Sequence, residues 1–381
     1  MTVTIDGDVG GRVDKASYPH YTLKEIHEGA DCIEKALAIP QADIVEMAKR
    51  IDASQRVFLT GMGTSYYVAL TTQYYFANLA DFYIPVTSAD ELPALAQLGP
   101  NDLTLAISQS GETHEILKAL RYANQHGGQT AAIVNMPGSS IVREVDHIIL
   151  QGAGPETCAI STKSTISQIT ILLRVAVELA CLRGKCGDVV YAEHHQVLSE
   201  LPEILREMYT SLVPTMRRLG HTYCHTPNWF FIGRGIYSAV ALESAFKFKE
   251  VSYLHAEGMS GGFLKHGTIA LIDDQTHSLA FIPSPEEHHL FNATLSNIQE
   301  IRARDGLVIG VHQLTDDGLQ MPLDDAIVVP AAPALVTPLV HLTAGQMLAY
   351  YMALALERNI DKPRAPGGLT IRKSSIFPAA S

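Results

Sequence analysis

Tryptophan occurs once in the 381 residues, cysteine five times, and charged residues make up only 18% of the chain. The cysteines, at positions 32, 158, 181, 186 and 224, are odd in number and widely spaced, so no disulfide framework is expected. Cys181 and Cys186 lack a matching second pair, which argues against a zinc site. No stretch reaches about 18 uninterrupted apolar residues, so no membrane span is read. The opening MTVTIDGDVGGRVD has no basic start followed by an apolar run, so no signal peptide is read either. The cytoplasm is the expected compartment. Positive charge is also scarce: 28 lysines and arginines face 40 acidic residues, for a net charge of -12. That balance argues against nucleic acid as a main partner. An anionic substrate stays open, because backbone N–H groups can bind phosphate inside an acidic protein.

What is present suits ordinary globular domains. Apolar residues make up 47% of the chain. Its length allows two domains of roughly 100–200 residues each. After an arm over residues 1–18, apolar spacing predicts a helix from Thr22 to Ala38. A strand–turn–helix rhythm follows. Strands are expected at residues 56–60, 103–107, 130–134 and 147–150, with helices over 66–79, after Thr113 to about 125, and over 161–182. The second half repeats the plan, with strands at 229–232, 277–282 and 306–311. Three landmarks recur in the same order, which points to internal duplication. Alternating strands and helices predict an α/β fold: two tandem three-layer αβα domains, each with a mostly parallel sheet. The expected division is an N-terminal arm and helix over 1–45, a first domain over 46–195, a connecting helix over 196–218, a second domain over 219–360 and an extended tail over 361–381. Helices are expected over 192–217, 241–253 and 343–358.

Three loops of the first domain carry hydroxyls at strand-to-helix turns. Gly61-Met62-Gly63-Thr64-Ser65 ends the first strand, and Ser108-Gln109-Ser110-Gly111-Glu112-Thr113 ends the second. Glu156 to Ser164 precedes the long helix. Glycine permits the sharp turn, and the helix start leaves free N–H groups. In a doubly wound sheet these loops converge at the carboxyl ends of the strands. The spacing is not Gly-x-Gly-x-x-Gly, and no Walker lysine pattern appears, so a small phosphomonoester suits the cradle better than a dinucleotide or ATP. The bland alternative for Ser110 and Glu112 is an ordinary helix start.

The second domain lacks this hydroxyl density, and its chemistry is expected elsewhere. Glu243, Lys247 and Glu250 share a helix face, a spacing that also fits an exposed ion-pair network. His255 to Gly267 crowds histidines, a carboxylate, a lysine and glycines into a segment read as a substrate-shaping loop. A carboxylate there can move a proton between sugar carbons, and a histidine can open a ring. The alternatives are a structural hydrogen bond for either histidine, or metal ligation by His255, Glu257 and His266, whose spacing matches no common closed site. No metal or cofactor is expected.

Taken in order, Tyr21–Ile26, Gly63–Ser65, Ser108–Thr113, Ser161–Lys163, Ala241–Glu243, Lys247–Glu250 and Leu264–Gly267 resemble the tandem sugar-isomerase (SIS) family. The likeness is to the isomerase portion of glutamine–fructose-6-phosphate aminotransferase and to stand-alone deaminases and deglycases. It implies that Gly63, Thr64, Ser65, Ser108, Gln109, Ser110 and Thr113 hold phosphate or sugar hydroxyls, with Glu156 and Ser161 completing the pocket. It implies that Glu250 shuttles a proton between C1 and C2, that His266 opens the ring from the neighbouring subunit of a homodimer, and that Lys247 lies close to the reacting sugar. Two departures matter. Residue 2 is Thr2 rather than a catalytic cysteine, and no glutaminase region precedes the first domain, so glutamine hydrolysis is not expected of this chain alone. Gly368 aligns with the tail lysine that meets the sugar carbonyl in the aminotransferase, and Lys373 is off register. The resemblance therefore implies deamination of glucosamine 6-phosphate to fructose 6-phosphate. Alternatives are deglycation of a phosphorylated fructosamine, simple aldose–ketose isomerisation, a noncatalytic sugar-phosphate sensor, or a synthase split between chains.

Overall fold

The computed structural model describes residues 15–158, 160–314, 321–362 and 364. The chain starts with three short helices, α1 (Tyr21–His27), α2 (Gly29–Leu37) and α3 (Gln41–Ala53). The single helix expected over 22–38 is thus broken at Glu28, whose carboxylate is drawn to Lys24 and Lys163. Five strands follow: β1 (Arg56–Gly61), β2 (Val86–Ser88), β3 (Asp102–Ser108), β4 (Gln129–Val134) and β5 (His147–Leu150). Between and after them run α4 (Thr64–Ala80), α5 (Leu92–Leu95), α6 (His114–Gln125), α7 (Ser140–Glu144) and α8 (Lys163–Leu182). The sheet order is β2-β1-β3-β4-β5, and every pairing is parallel. Every residue of β3 is buried, as expected of a central strand covered on both faces.

Two helices lead to the second domain, α9 (Asp188–Ser211) and α10 (Val213–Tyr223). One continuous helix was expected here. Pro214 lacks an N–H and is accommodated in a first turn, so a new helix starts at that point. The second sheet contains β6 (Asn228–Gly233), β7 (His255–Ser260), β8 (His277–Phe281), β9 (Leu307–Gln313) and β10 (Asp325–Val329), in the order β10-β9-β8-β6-β7 and again all parallel. Its helices are α11 (Ile236–Ser252), α12 (Gly261–Leu264), α13 (His288–Arg302) and α14 (Thr337–Ala355). Read from β7 to β10, the second order repeats the first, so the duplication extends to topology. It also reaches the backbone. Gly63 has φ 55° and ψ -127°, and Gly235 has φ 55° and ψ -133°. Both sit where a side chain would be strained, and both open a helix directly from a strand.

The structure corrects three expectations of extent. α11 begins at Ile236, not 241, because Gly235 turns β6 straight into it. α14 begins at Thr337, not 343, with Pro338 in its first turn. The segment read as a loop from His255 is, as far as Ser260, the edge strand β7 paired with β6. The two domains meet along α4 and α11, which pack against each other. α8 is long and apolar enough to cross a membrane by length and composition, yet it is buried in the fold along nearly its whole length, against α2, α3 and α4. Burying each of its Leu and Ile side chains contributes about 1.5–3 kcal/mol to holding those helices together.

Candidate active site

In the strand order β2-β1-β3, the connections leaving β1 and β3 depart to opposite sides. That divergence opens a crevice at their carboxyl ends. A pocket of about 210 Å³ lies there. One side is the turn after β1, with Met62, Gly63, Thr64 and Ser65. Gln109, Ser110 and Thr113 come from the turn after β3, and Ser161 from the loop before α8. The opposite wall is Phe246, Lys247 and Glu250, from α11 of the second domain. The pocket therefore spans the domain seam, with hydroxyls on one side and an acid–base pair on the other.

Helix starts shape the hydroxyl side. Neither α4, which opens after Gly63, nor α6, which opens after Thr113, has a side-chain cap. Two positive helix ends with open hydroxyls beside them form a natural seat for an oxyanion. Two of the residues expected to touch substrate stand one layer back. The hydroxyl of Ser108 accepts the Gly111 N–H at 2.9 Å and so holds the turn. Glu156 accepts the N–H groups of Thr162 at 2.8 Å and Ser164 at 3.3 Å, and the Ser164 hydroxyl at 2.6 Å. It thereby holds the start of α8, next to Ser161, in place. His266 is exposed after α12 and is not on the wall of this pocket.

The α11 wall is electrostatically coupled. Lys247 is 1% exposed, and its ammonium donates to Glu250 Oε2 at 2.6 Å. Glu250 keeps about a third of its side-chain surface open to the pocket side. On the other side of Lys247, Glu243 Oε1 lies 3.7 Å from Nζ. Glu243 is 1% exposed, and neither of its oxygens has a hydrogen-bond partner. Burial pushes the Glu243 carboxyl up to about 8, against the pull of Lys247. Burial also works against the Lys247 charge, but Glu243 and Glu250 outweigh it and hold the ammonium above the ordinary lysine value. Glu243 and Lys247 therefore form a coupled pair: burial favours the protonated Glu243 carboxyl, and the Lys247 charge opposes it. The Lys247 ammonium also lies 4.7 Å from the Phe246 ring centroid, and that ring packs tilted against Tyr67 at 5.4 Å.

Two residues outside the expected site prove structurally central. Glu243 is one, and Glu25 of α1 is the other. The buried carboxylate of Glu25 accepts the N–H groups of Thr157, at 2.5 Å, and Cys158, at 3.2 Å, anchoring the loop that leads to Ser161. The 159 position, the tail with Gly368 and Lys373, and Thr2 lie outside the described residues. In the second domain the equivalent cradle is closed. Ile236 and Tyr237 stand where Thr64 and Ser65 stand in the first. Tyr237 is fully buried, with its hydroxyl donating to Glu287 at 2.7 Å.

Comparisons place this architecture among known proteins. The SIS domain family model matches residues 51–178 and 223–356. Glutamine–fructose-6-phosphate aminotransferase [isomerizing] of Methanococcus maripaludis is 39% identical over 351 residues, which is 92% of this chain and 56% of that protein. The protein of the same name from Methanocaldococcus jannaschii is 40% identical over 351 residues, covering 92% of this chain and 31% of its own length. The chain thus spans about half, or less, of the curated relatives it matches. Among solved structures, the C-terminal domain of glucosamine-fructose-6-phosphate aminotransferase from Francisella tularensis superposes with a TM-score of 0.85 at 28% identity, over 92% of this chain and all of that one. Glucosamine-6-phosphate deaminase from Thermotoga maritima shares the fold at a TM-score of 0.68 and 21% identity, over 91% of this chain and 98% of that one.

Proposed function

Because the chain belongs to the SIS-domain family, we propose that it is an enzyme of sugar phosphates, and specifically that it deaminates glucosamine 6-phosphate to fructose 6-phosphate and ammonia. The observation that carries this reading is the Lys247–Glu250 pair facing an uncapped hydroxyl cradle across one small pocket. The cradle suits a phosphate, and the pair suits proton transfer at the other end of a six-carbon chain.

In this reading Thr64, Ser65, Ser110 and Thr113 hold the phosphate, while Gln109 and Ser161 meet sugar hydroxyls. After ring opening gives the aldehyde, Glu250 takes the proton from C2 and returns it to C1. The C1 carbonyl passes through an enolamine to a ketimine at C2. Water adds to C2, and the carbinolamine collapses to the ketone as its C–N bond breaks and ammonia leaves. Lys247 stabilises the oxyanion that develops at O1 and keeps Glu250 oriented. Ring opening is assigned to His266 supplied by a second copy of the chain, since within one copy His266 does not line this pocket.

A deglycase reading has its own observation. Met62 and Phe246 give the pocket an apolar flank next to Glu250, which suits a substituent on the departing nitrogen. Purified protein is expected to release ammonia from glucosamine 6-phosphate, with Glu250→Gln lowering the rate by about 10³-fold or more. Amino-acid release from a phosphorylated fructosamine, with no ammonia from the free amine, would replace deamination by deglycation.

A further inference from the structure

Behind the loop that carries Ser161 lies a second cavity, of about 260 Å³. It has no lining residue in common with the sugar pocket. α1 and α2 contribute Lys24, Glu28, Asp31 and Lys35, the start of α8 contributes Lys163, and the floor is formed by residues 153–155. The Lys163 side chain is only 5% exposed. Its ammonium has one acceptor among the described residues, Glu28 Oε2 at 2.7 Å. The other oxygen of Glu28 is taken by Lys24. One carboxylate therefore serves two ammonium groups. Asp31 is drawn away to Arg206 at 2.9 Å. Lys35 has neither an ion pair nor a hydrogen bond among the described residues.

The charge in this recess does not balance. Three lysines line it against two carboxylates; Glu28 is shared by Lys24 and Lys163, and Asp31 pairs with Arg206. An ammonium has three donors, so Lys163, whose side chain is itself buried, keeps N–H groups that face the recess without a protein acceptor among the described residues. Buried donors of this kind are ordinarily satisfied. A tetrahedral oxyanion accepts from several point-like ammonium groups at once. The cavity is larger than a phosphate and leaves room for a small organic part.

We propose that this cavity is a second ligand site, for a small phosphorylated metabolite, and that its occupancy steadies residues 153–164 and through them the sugar pocket. The connection is short. Lys163 faces the cavity, Thr162 is held by Glu156, and Ser161 faces the sugar. Asn135 ties the floor down, donating to the Gly154 carbonyl at 2.7 Å and accepting the Ala153 N–H at 3.0 Å. A ligand bridging Lys163 and the α1–α2 lysines clamps the same loop from outside.

The test is calorimetric titration of inorganic phosphate into full-length protein, with fructose 6-phosphate held just high enough to fill the cradle and below the millimolar range expected of the second site. One further binding event is expected, weak and on the order of millimolar. Lys35→Glu, at an exposed position, should weaken that event about tenfold, whereas Lys35→Arg should retain it. Fructose 6-phosphate binding in both variants verifies the fold. Amide exchange over residues 153–164 should slow when phosphate is added, and should not slow in Lys35→Glu. Absence of the further event, or an event indifferent to Lys35→Glu, overturns the site. Binding without slowed exchange overturns the coupling. If fructose 6-phosphate itself fails to bind, the sugar-phosphate reading falls, while the Lys35 comparison still reports on this cavity.

Discussion

Glu243, Lys247 and Glu250 are spaced at i, i+4 and i+7, and in sequence that spacing reads equally well as a solvated ion-pair row. Burial decides between the two, and burial comes from α4 of the other domain packing onto this face. The pattern was legible; the fact that Glu243 lacks a hydrogen-bond partner was not, because it depends on a neighbour about 180 residues away. It has a pH signature. The carboxyl is raised from the ordinary 4.5 to about 8. Between those values the folded chain keeps a proton that the unfolded chain gives up. The contribution to stability is therefore complete below the ordinary carboxylate value and is lost as pH rises through about 8. Glu243→Gln removes that dependence. Thermal melts should show the variant above wild type at pH 9, by about 2–5 °C, with the gap closing toward pH 5. Parallel melting curves across that range would show that Glu243 carries no stored proton.

Among the elements, α11 has to align two halves of a site that belong to different domains. The cradle is set by β1 and β3, whereas Glu250 travels with α11. The link between them is Phe246, packed tilted against Tyr67 of α4 and lining the pocket beside Met62 and Gly63. Phe246→Ala is expected to lower kcat by about 10- to 100-fold through misplacement of Glu250, with little change in phosphate affinity. Phe246→Leu should recover much of the rate. A rise in KM at constant kcat would instead mean that the ring merely binds substrate. Elements that combine a long apolar run with a glycine turn, such as β1, β3 and β6, were readable from the chain. β7 was not. Its residues, His255 to Ser260, are mostly polar or small, and they form a strand because the edge of β6 offers parallel pairing to whatever returns there. β2 (Val86–Ser88) is a short edge strand of the same kind, and the helix break at Pro214 shows local proline chemistry overriding a helical apolar pattern.

The whole molecule is a duplication in which, among the described residues, one cradle stays open and its counterpart does not. The first keeps Thr64 and Ser65, and the second is closed by Ile236 and Tyr237. Sequence alone indicated this asymmetry, because the hydroxyl-rich turns occur in the first half only. Residue pattern alone did not place Lys247 and Glu250 across from the first cradle; the family resemblance implied it, and the packing of α4 on α11 is what brings the two together. His266 does not line the pocket of its own chain, and in the proposed mechanism a second copy supplies it. Co-expressing Glu250→Gln with His266→Ala, each inactive alone, should restore about a quarter of wild-type activity, because mixed dimers regain one intact site. A silent mixture would mean that His266 serves its own chain or has no part in the reaction.

The proton path through Glu250 can be followed with isotopes. Glucosamine 6-phosphate incubated with the protein in deuterated water, and read by NMR, should yield ammonia and fructose 6-phosphate carrying deuterium at C1, with both signals lost in Glu250→Gln. An inert substrate, or a Glu250→Gln protein that still exchanges and deaminates at the wild-type rate, would contradict the assignment of this pocket as an acid–base deaminase site.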